Sequence, residues 1–119
     1  MTRPDRVARA SAIAEAAQEK KCRQLVALDV REVTSVADTF ILVTGTSDRH
    51  ARSIADSIVE AVRESGEKPL GIEGYDEARW VLIDLGDVIV HVFQPEVREA
   101  YDLERLWSDA PAMELGAAA

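Results

Sequence analysis

Trp80 to Phe93 reads WVLIDLGDVIVHVF, and the reading of this stretch decides the fold. Two apolar runs flank Gly86-Asp87, a dipeptide suited to a two-residue hairpin turn because glycine accepts the positive φ such turns require. Closing the hairpin there sets Leu85 opposite Val88, Asp84 opposite Ile89, Leu82 opposite His91 and Trp80 opposite Phe93. Side chains alternate faces along a strand, so Val81, Ile83 and Leu85 join Val88, Val90 and Val92. That face is wholly aliphatic and is read as core. The other carries Trp80, Leu82, Asp84, Ile89, His91 and Phe93. It is too apolar to be a plain solvated face, and its two ionisable groups would be costly in a dry core without partners. Either a helix of this chain covers it or another molecule does.

On the N-terminal side, Val7, Ala10, Ile13, Ala14 and Ala17 recur at helical spacing, which predicts an amphipathic helix from about Asp5 to Lys21. Lys20 and Lys21 would then sit at the negative end of its dipole. Leu25–Val30 reads as a strand, Arg31–Asp38 as a polar connector, and Thr39–Thr44 (TFILVT) as a central strand, apolar on both faces. Gly45-Thr46-Ser47 turns the chain, with Ser47 or Thr46 as N-cap and Asp48 in the first turn of the next helix. That helix shows Ala51, Ile54, Ala55, Ile58, Val59 and Val62 in one stripe and stops at Ser65-Gly66. A short strand within Pro69–Gly74 follows, completing a βαβ unit. Beyond the hairpin, Pro95 breaks the chain, and Glu96–Trp107 is predicted as one closing helix with Val97, Ala100, Leu103 and Trp107 in register. The expected fold class is α/β, a single domain with a mixed five-stranded sheet and flanking helices in the order α-β-β-α-β-β-β-α. The domain is expected over 1–108, with 109–119 a frayed tail.

At 119 residues, 47% apolar and 30% charged, the composition is that of one soluble globular domain. No apolar run reaches membrane-spanning length, and Asp5, Glu15 and Glu19 argue against a transit peptide at the Arg- and Ala-rich start. The single cysteine, Cys22, allows no internal disulfide and points to a reducing cytoplasm. Charge is uneven. Up to Leu70 there are 11 basic and 11 acidic residues, while from Gly71 onward 3 basic face 11 acidic, supplying the whole net charge of −8. The acidic half disfavours direct nucleic-acid contact and anionic lipid and suits a basic protein partner, although acidic excess also simply keeps small domains soluble.

Several side chains carry candidate chemistry. A nucleotide- or metal-dependent transferase would hold phosphate on the N–H groups of Gly45-Thr46-Ser47 and magnesium on Asp84 and Asp87. Against it, TGTS lacks the lysine and glycine pattern of a phosphate loop, aspartate is common in turns, and DLGD does not aim two carboxylates the same way. His91, diagonal to Asp84, suggests a general base, but no serine or cysteine is predicted on its face, which favours a structural or interfacial histidine. His50, Arg49 and Arg52 open the main helix and would bind an anion or merely solvate its edge. Trp80, with Tyr75, Phe93, Tyr101 and Trp107 near it, gathers most of the aromatic content of an aromatic-poor chain. Acid-rimmed aromatics make an interface hot spot, or else a second small core under the last helix.

ADTFILVTGTSDRHARSIADSIVEAV, PLGIEG, the Trp80 of YDEARW, VLIDLGDVIVHVF and REAYDLERLW together closely resemble the ribosomal silencing factor family, also called the Iojap family. The resemblance covers the domain from the first helix to Trp107. It implies a nucleotidyltransferase-like fold without catalytic residues, hence no enzyme, no cofactor and no metal. It further implies a translation repressor of the cytoplasm that binds the large ribosomal subunit through its intersubunit-face protein numbered fourteenth. There it would block joining of the small subunit when nutrients are scarce, and the free protein would be a homodimer. By position, the partner contact would use Trp80, Leu82, Asp84, His91 and Phe93, bordered by Tyr101, Glu104 and Trp107.

Overall fold

The computed structural model describes residues 3–115 and runs α1 (Arg3–Gln18), β1 (Arg23–Asp29), β2 (Thr39–Thr44), α2 (Asp48–Glu64), β3 (Gly71–Glu73), β4 (Trp80–Asp84), β5 (Val88–Phe93), α3 (Pro95–Tyr101) and α4 (Leu103–Leu106). The hairpin closes in the expected register, pairing Trp80 with Phe93, Leu82 with His91 and Asp84 with Ile89. Leu85 N–H donates to the Val88 carbonyl at 2.9 Å, and Gly86 takes the positive φ of the turn, +90°. The five strands lie in the order β1-β2-β5-β4-β3. β2 and β5 are parallel, and the other pairs are antiparallel. β3 therefore runs parallel to β2, but the hairpin lies between them, so α2 crosses over two strands.

Burial follows from the alternation of side chains. Val81, Ile83, Leu85, Val88, Val90 and Val92 pack with Ile41 and Val43 beneath α1 and α2, whose Ala10, Ile13, Ile54, Ala55 and Ile58 complete the larger core. Phe40, Leu42, Ile89 and Phe93 face the other way, onto Val97, Ala110 and Leu28. A β2 strand buried at every position belongs to both cores, which is why its sequence shows no polar face. Ser57 Oγ donates to the Ala16 carbonyl at 2.8 Å, satisfying a buried hydroxyl while tying α2 to α1.

α2 begins as expected: Ser47 Oγ accepts from His50 N–H at 3.1 Å. Gly45 is required here by close approach, since a Cβ would lie 2.9 Å from both Cα and N of Ala51. Gly45→Ala is expected to lower stability by about 1–3 kcal/mol by pushing α2 off the sheet. The check is a lower urea midpoint with unchanged helical circular dichroism.

Three expectations are corrected. α1 ends at Gln18, so Lys20 and Lys21 lie in the following turn instead of the last helical turn; Lys21 adopts φ +58°, a left-handed stop. The closing helix is broken at Asp102 (φ 48°, ψ 56°), whose N–H donates to the Arg98 carbonyl. Ala100, expected on the buried stripe, is exposed. Finally, the segment after Asp109 is docked as far as Leu115. Asp29 N–H donates to the Pro111 carbonyl at 2.9 Å and Met113 N–H to the Ala27 carbonyl at 2.8 Å, bridging Leu28 to Ala112. The chain thus covers the otherwise unpaired edge of β1 with its own backbone; residues 116–119 lie outside the described part.

Candidate functional site

The second face of the hairpin carries an unbroken series of rings. Trp80, at the start of β4, lies 5.1 Å from Phe93 and 4.9 Å from Tyr101 between ring centroids. Its indole Nε1–H donates to His91 Nδ1 at 3.1 Å. His91 stacks on Phe93 at 5.8 Å and meets Phe40 edge-on at 5.1 Å. Phe40 in turn receives Trp107 at 5.5 Å, nearly perpendicular. Offset and T-shaped contacts of this kind add about 0.5–1.5 kcal/mol each beyond area burial.

The predicted contact residues divide by exposure. Phe93 (1% exposed) and His91 (6%) are buried, Phe93 in the cluster that includes Val97 of α3 and Trp80. Trp80, Leu82, Asp84 and Trp107 are half-buried, and Tyr101 is 60% exposed. Leu106, absent from the predicted set, is 68% exposed on α4. The break at Asp102 turns it outward, and a regular helical stripe gives no sign of that. The face is therefore neither the open sheet surface nor the closed second core weighed above. It has a closed floor and a half-open rim.

Arg98 is a second residue that sequence reasoning passed over. It is 7% exposed, donates from Nη1 to Thr44 Oγ1 at 3.0 Å, and grips both carboxylate oxygens of Glu104 at 2.9 and 3.2 Å. Residues six apart point to different sides of a straight helix. The left-handed Asp102 brings the two together and fixes α4 over α3. Glu104 is thus engaged within the chain. Arg98→Met is expected to cost about 1–3 kcal/mol, discounted because Glu104 regains water, and to free the α4 turn. Faster proteolytic cleavage after Arg105 would report that release.

The groups proposed for catalysis are occupied elsewhere. Thr46 N–H donates to His50 Nδ1 at 2.8 Å, Arg49 N–H to Asp48 Oδ1 and His50 N–H to Ser47 Oγ, so these α2 N-terminal donors point at their own chain. His50 Nε2 lies 2.7 Å from the Lys20 carbonyl, which pins the ring between α1 and α2. Arg52 Nη1 donates to the Asp76 carbonyl at 2.7 Å. Asp84 Oδ1 accepts from Gly86 N–H at 2.9 Å, whereas Asp87 binds Arg9 at 2.8 Å. The two aspartates serve separate structural bonds, and His91 is bonded to Trp80 instead of Asp84. Among the described residues, no group of three His, Cys, Asp or Glu side chains is placed to share a metal ion, and no helix is long and apolar enough to cross a membrane. Cys22 is a free, half-buried thiol whose pKa burial pushes up, the opposite of an activated nucleophile.

The family model described as "Ribosomal silencing factor during starvation" matches residues 3–119. The chain belongs to the ribosomal silencing factor family. Among curated relatives, Ribosomal silencing factor RsfS of Halalkalibacterium halodurans is 45% identical over 100 residues, spanning 84% of this chain and 86% of the relative. The mouse protein named "Mitochondrial assembly of ribosomal large subunit protein 1" is 29% identical over 94 residues, covering 76% of this chain and 41% of that one. A crystal structure of a Chromobacterium violaceum protein superposes with a TM-score of 0.84 at 32% identity, covering 98% of this chain and 94% of that one. The family match thus runs past Trp107, to residue 119.

Proposed function

We propose that this chain is a non-enzymatic translation repressor that binds the large ribosomal subunit and keeps the small subunit from joining. In this reading it grips the intersubunit-face protein numbered fourteenth, and it acts by occupying space. Family membership supports the ribosomal role, and the name of the mouse relative, which speaks of large-subunit assembly, points to the same particle. The observation that carries the surface assignment is the half-open aromatic rim. Trp80, Leu82, Tyr101 and Trp107 present apolar area braced from below by Phe93, His91 and Phe40, and Leu106 is exposed on α4. A rigid aromatic anchor with carboxylates such as Asp84 and Glu73 alongside suits a basic protein surface. The acidic C-terminal half makes a direct hold on rRNA phosphates unfavourable. Work in the cytoplasm and homodimerisation when free belong to the same reading and rest on family membership alone.

The test is sucrose-gradient sedimentation with purified subunits. The protein should travel with free large subunits, travel far less with joined ribosomes, and reduce rejoining when added before the small subunit. Equal binding to joined ribosomes would contradict occlusion.

A further inference from the structure

The two edges of the sheet are treated differently. The edge at β1 is covered by the chain's own segment around Ala112, whereas β3 at the far edge has no strand beside it among the described residues. Ile72 of β3 pairs with Ile83 and so faces the α2 side, away from Trp80. Between Ile72 and α2 runs a groove of 780 Å³ lined by Ala55, Asp56, Val59, Glu60, Arg63, Glu64, Ile72 and Tyr75.

The composition of the groove is specific. Ala55, Val59, Ile72 and the Tyr75 ring make an apolar floor. Asp56, Glu60 and Glu64 stand along one side at four-residue spacing, three carboxylates against the guanidinium of Arg63. Like charges at i, i+4 cost a helix a few tenths of a kcal/mol per pair, which Arg52 four residues before Asp56 and Arg63 three residues after Glu60 offset. Asp56 is held in place by the Tyr75 hydroxyl, which donates to it at 2.9 Å. From Ala55 to Glu64 the wall is about 13 Å long, roughly two and a half helical turns. Strand addition does not fit: β3 is three residues long and Pro69 stands just before it, leaving too little free backbone to pair.

We propose that this groove is a second docking surface, on the opposite side of the sheet from the aromatic rim, and that it takes an amphipathic basic helix of another protein. Apolar side chains at i, i+3 and i+4 would lie on Val59, Ile72 and Tyr75, with flanking Lys or Arg on Glu60 and Glu64. A second copy of this chain is a poorer fit, because the apolar stripes of its α1 and α2 are already spent in its own core.

The experiment is an amide-resolved NMR titration of the ¹⁵N-labelled chain with a synthetic amphipathic peptide of Leu and Lys, and with its Leu and Glu counterpart. The Leu–Lys peptide should give saturable shifts centred on Val59, Arg63, Ile72 and Tyr75, and the Leu–Glu peptide none. Glu60→Lys/Glu64→Lys should weaken binding at least tenfold. Ile72→Ser, which keeps every charge, should weaken it severalfold and so separate a groove from a merely acidic surface. Shifts spread over the acidic half and insensitive to Ile72→Ser would overturn the proposal. So would groove amides that shift with protein concentration alone, since the groove would then belong to a second copy.

Discussion

Trp80→Ala should abolish measurable co-sedimentation with the large subunit, a loss on the order of 100-fold in affinity, while the protein stays folded. Central aromatic anchors are worth about 2–4 kcal/mol on truncation, and about 2.7 kcal/mol corresponds to that factor. Trp80 is the candidate because its indole is clamped between Phe93 and Tyr101 and fixed by its bond to His91, so little rotamer freedom remains to be lost on docking. The same contacts make the substitution destabilising by about 2–3 kcal/mol, because a half-buried ring is removed and His91 Nδ1 loses its donor. Circular dichroism and a thermal melt therefore accompany the binding measurement. Trp80→Phe separates the two effects. It keeps the ring packing without the N–H, and should recover most of the stability and part of the affinity. Wild-type binding by Trp80→Ala would remove the contact from this face.

The second large effect is acid lability centred on His91. Burial holds its pKa down to about 4 from the ordinary 6.5. The indole N–H can only donate, so Nδ1 is the acceptor and the ring proton sits on Nε2, which is buried without a partner among the described residues. In the folded chain the ring stays neutral until about pH 4, whereas unfolding lets it take a proton from about pH 6.5 downward. The unfolded state therefore binds more protons across that window. Stability is full above pH 6.5 and declines as the pH falls towards 4, by up to about 3 kcal/mol in all. Urea melts at intervals from pH 7 to 4.5 should show this slope. His91→Gln, which keeps an acceptor for Trp80 and does not titrate, should flatten it by about one proton. A slope unchanged in the variant would place the lability on carboxylates instead. Asp29, whose pKa the Arg31 guanidinium lowers, loses its contribution only below the ordinary carboxylate range and so falls outside the window.

The two predictions meet at one bond. Trp80, on which the proposed docking relies, is held by the buried His91. Loss of binding near pH 5 would thus follow from loss of the folded population, not from titration of the rim.

Period and turn chemistry were enough to place most of the chain. Gly86 dictated the hairpin register, and through the alternation of Val81, Ile83, Val90 and Val92 it dictated which face is core. TFILVT declared a strand buried on both sides, and Ser47 and Gly66 marked the ends of α2. These are local facts, governed by dihedral preference and side-chain spacing within a few residues. What only the tertiary structure decided depends on groups distant in sequence. Arg98 reaches Thr44 across 54 positions and Glu104 past the break at Asp102, so the last helix bends and Leu106 turns outward. Ala112 bridges to Leu28, turning an expected tail into an edge cover. That His91 and Phe93 are buried beside Trp80 likewise depended on packing between distant segments. Periodicity shows that a face is apolar, but the element that buries it is set by long-range packing.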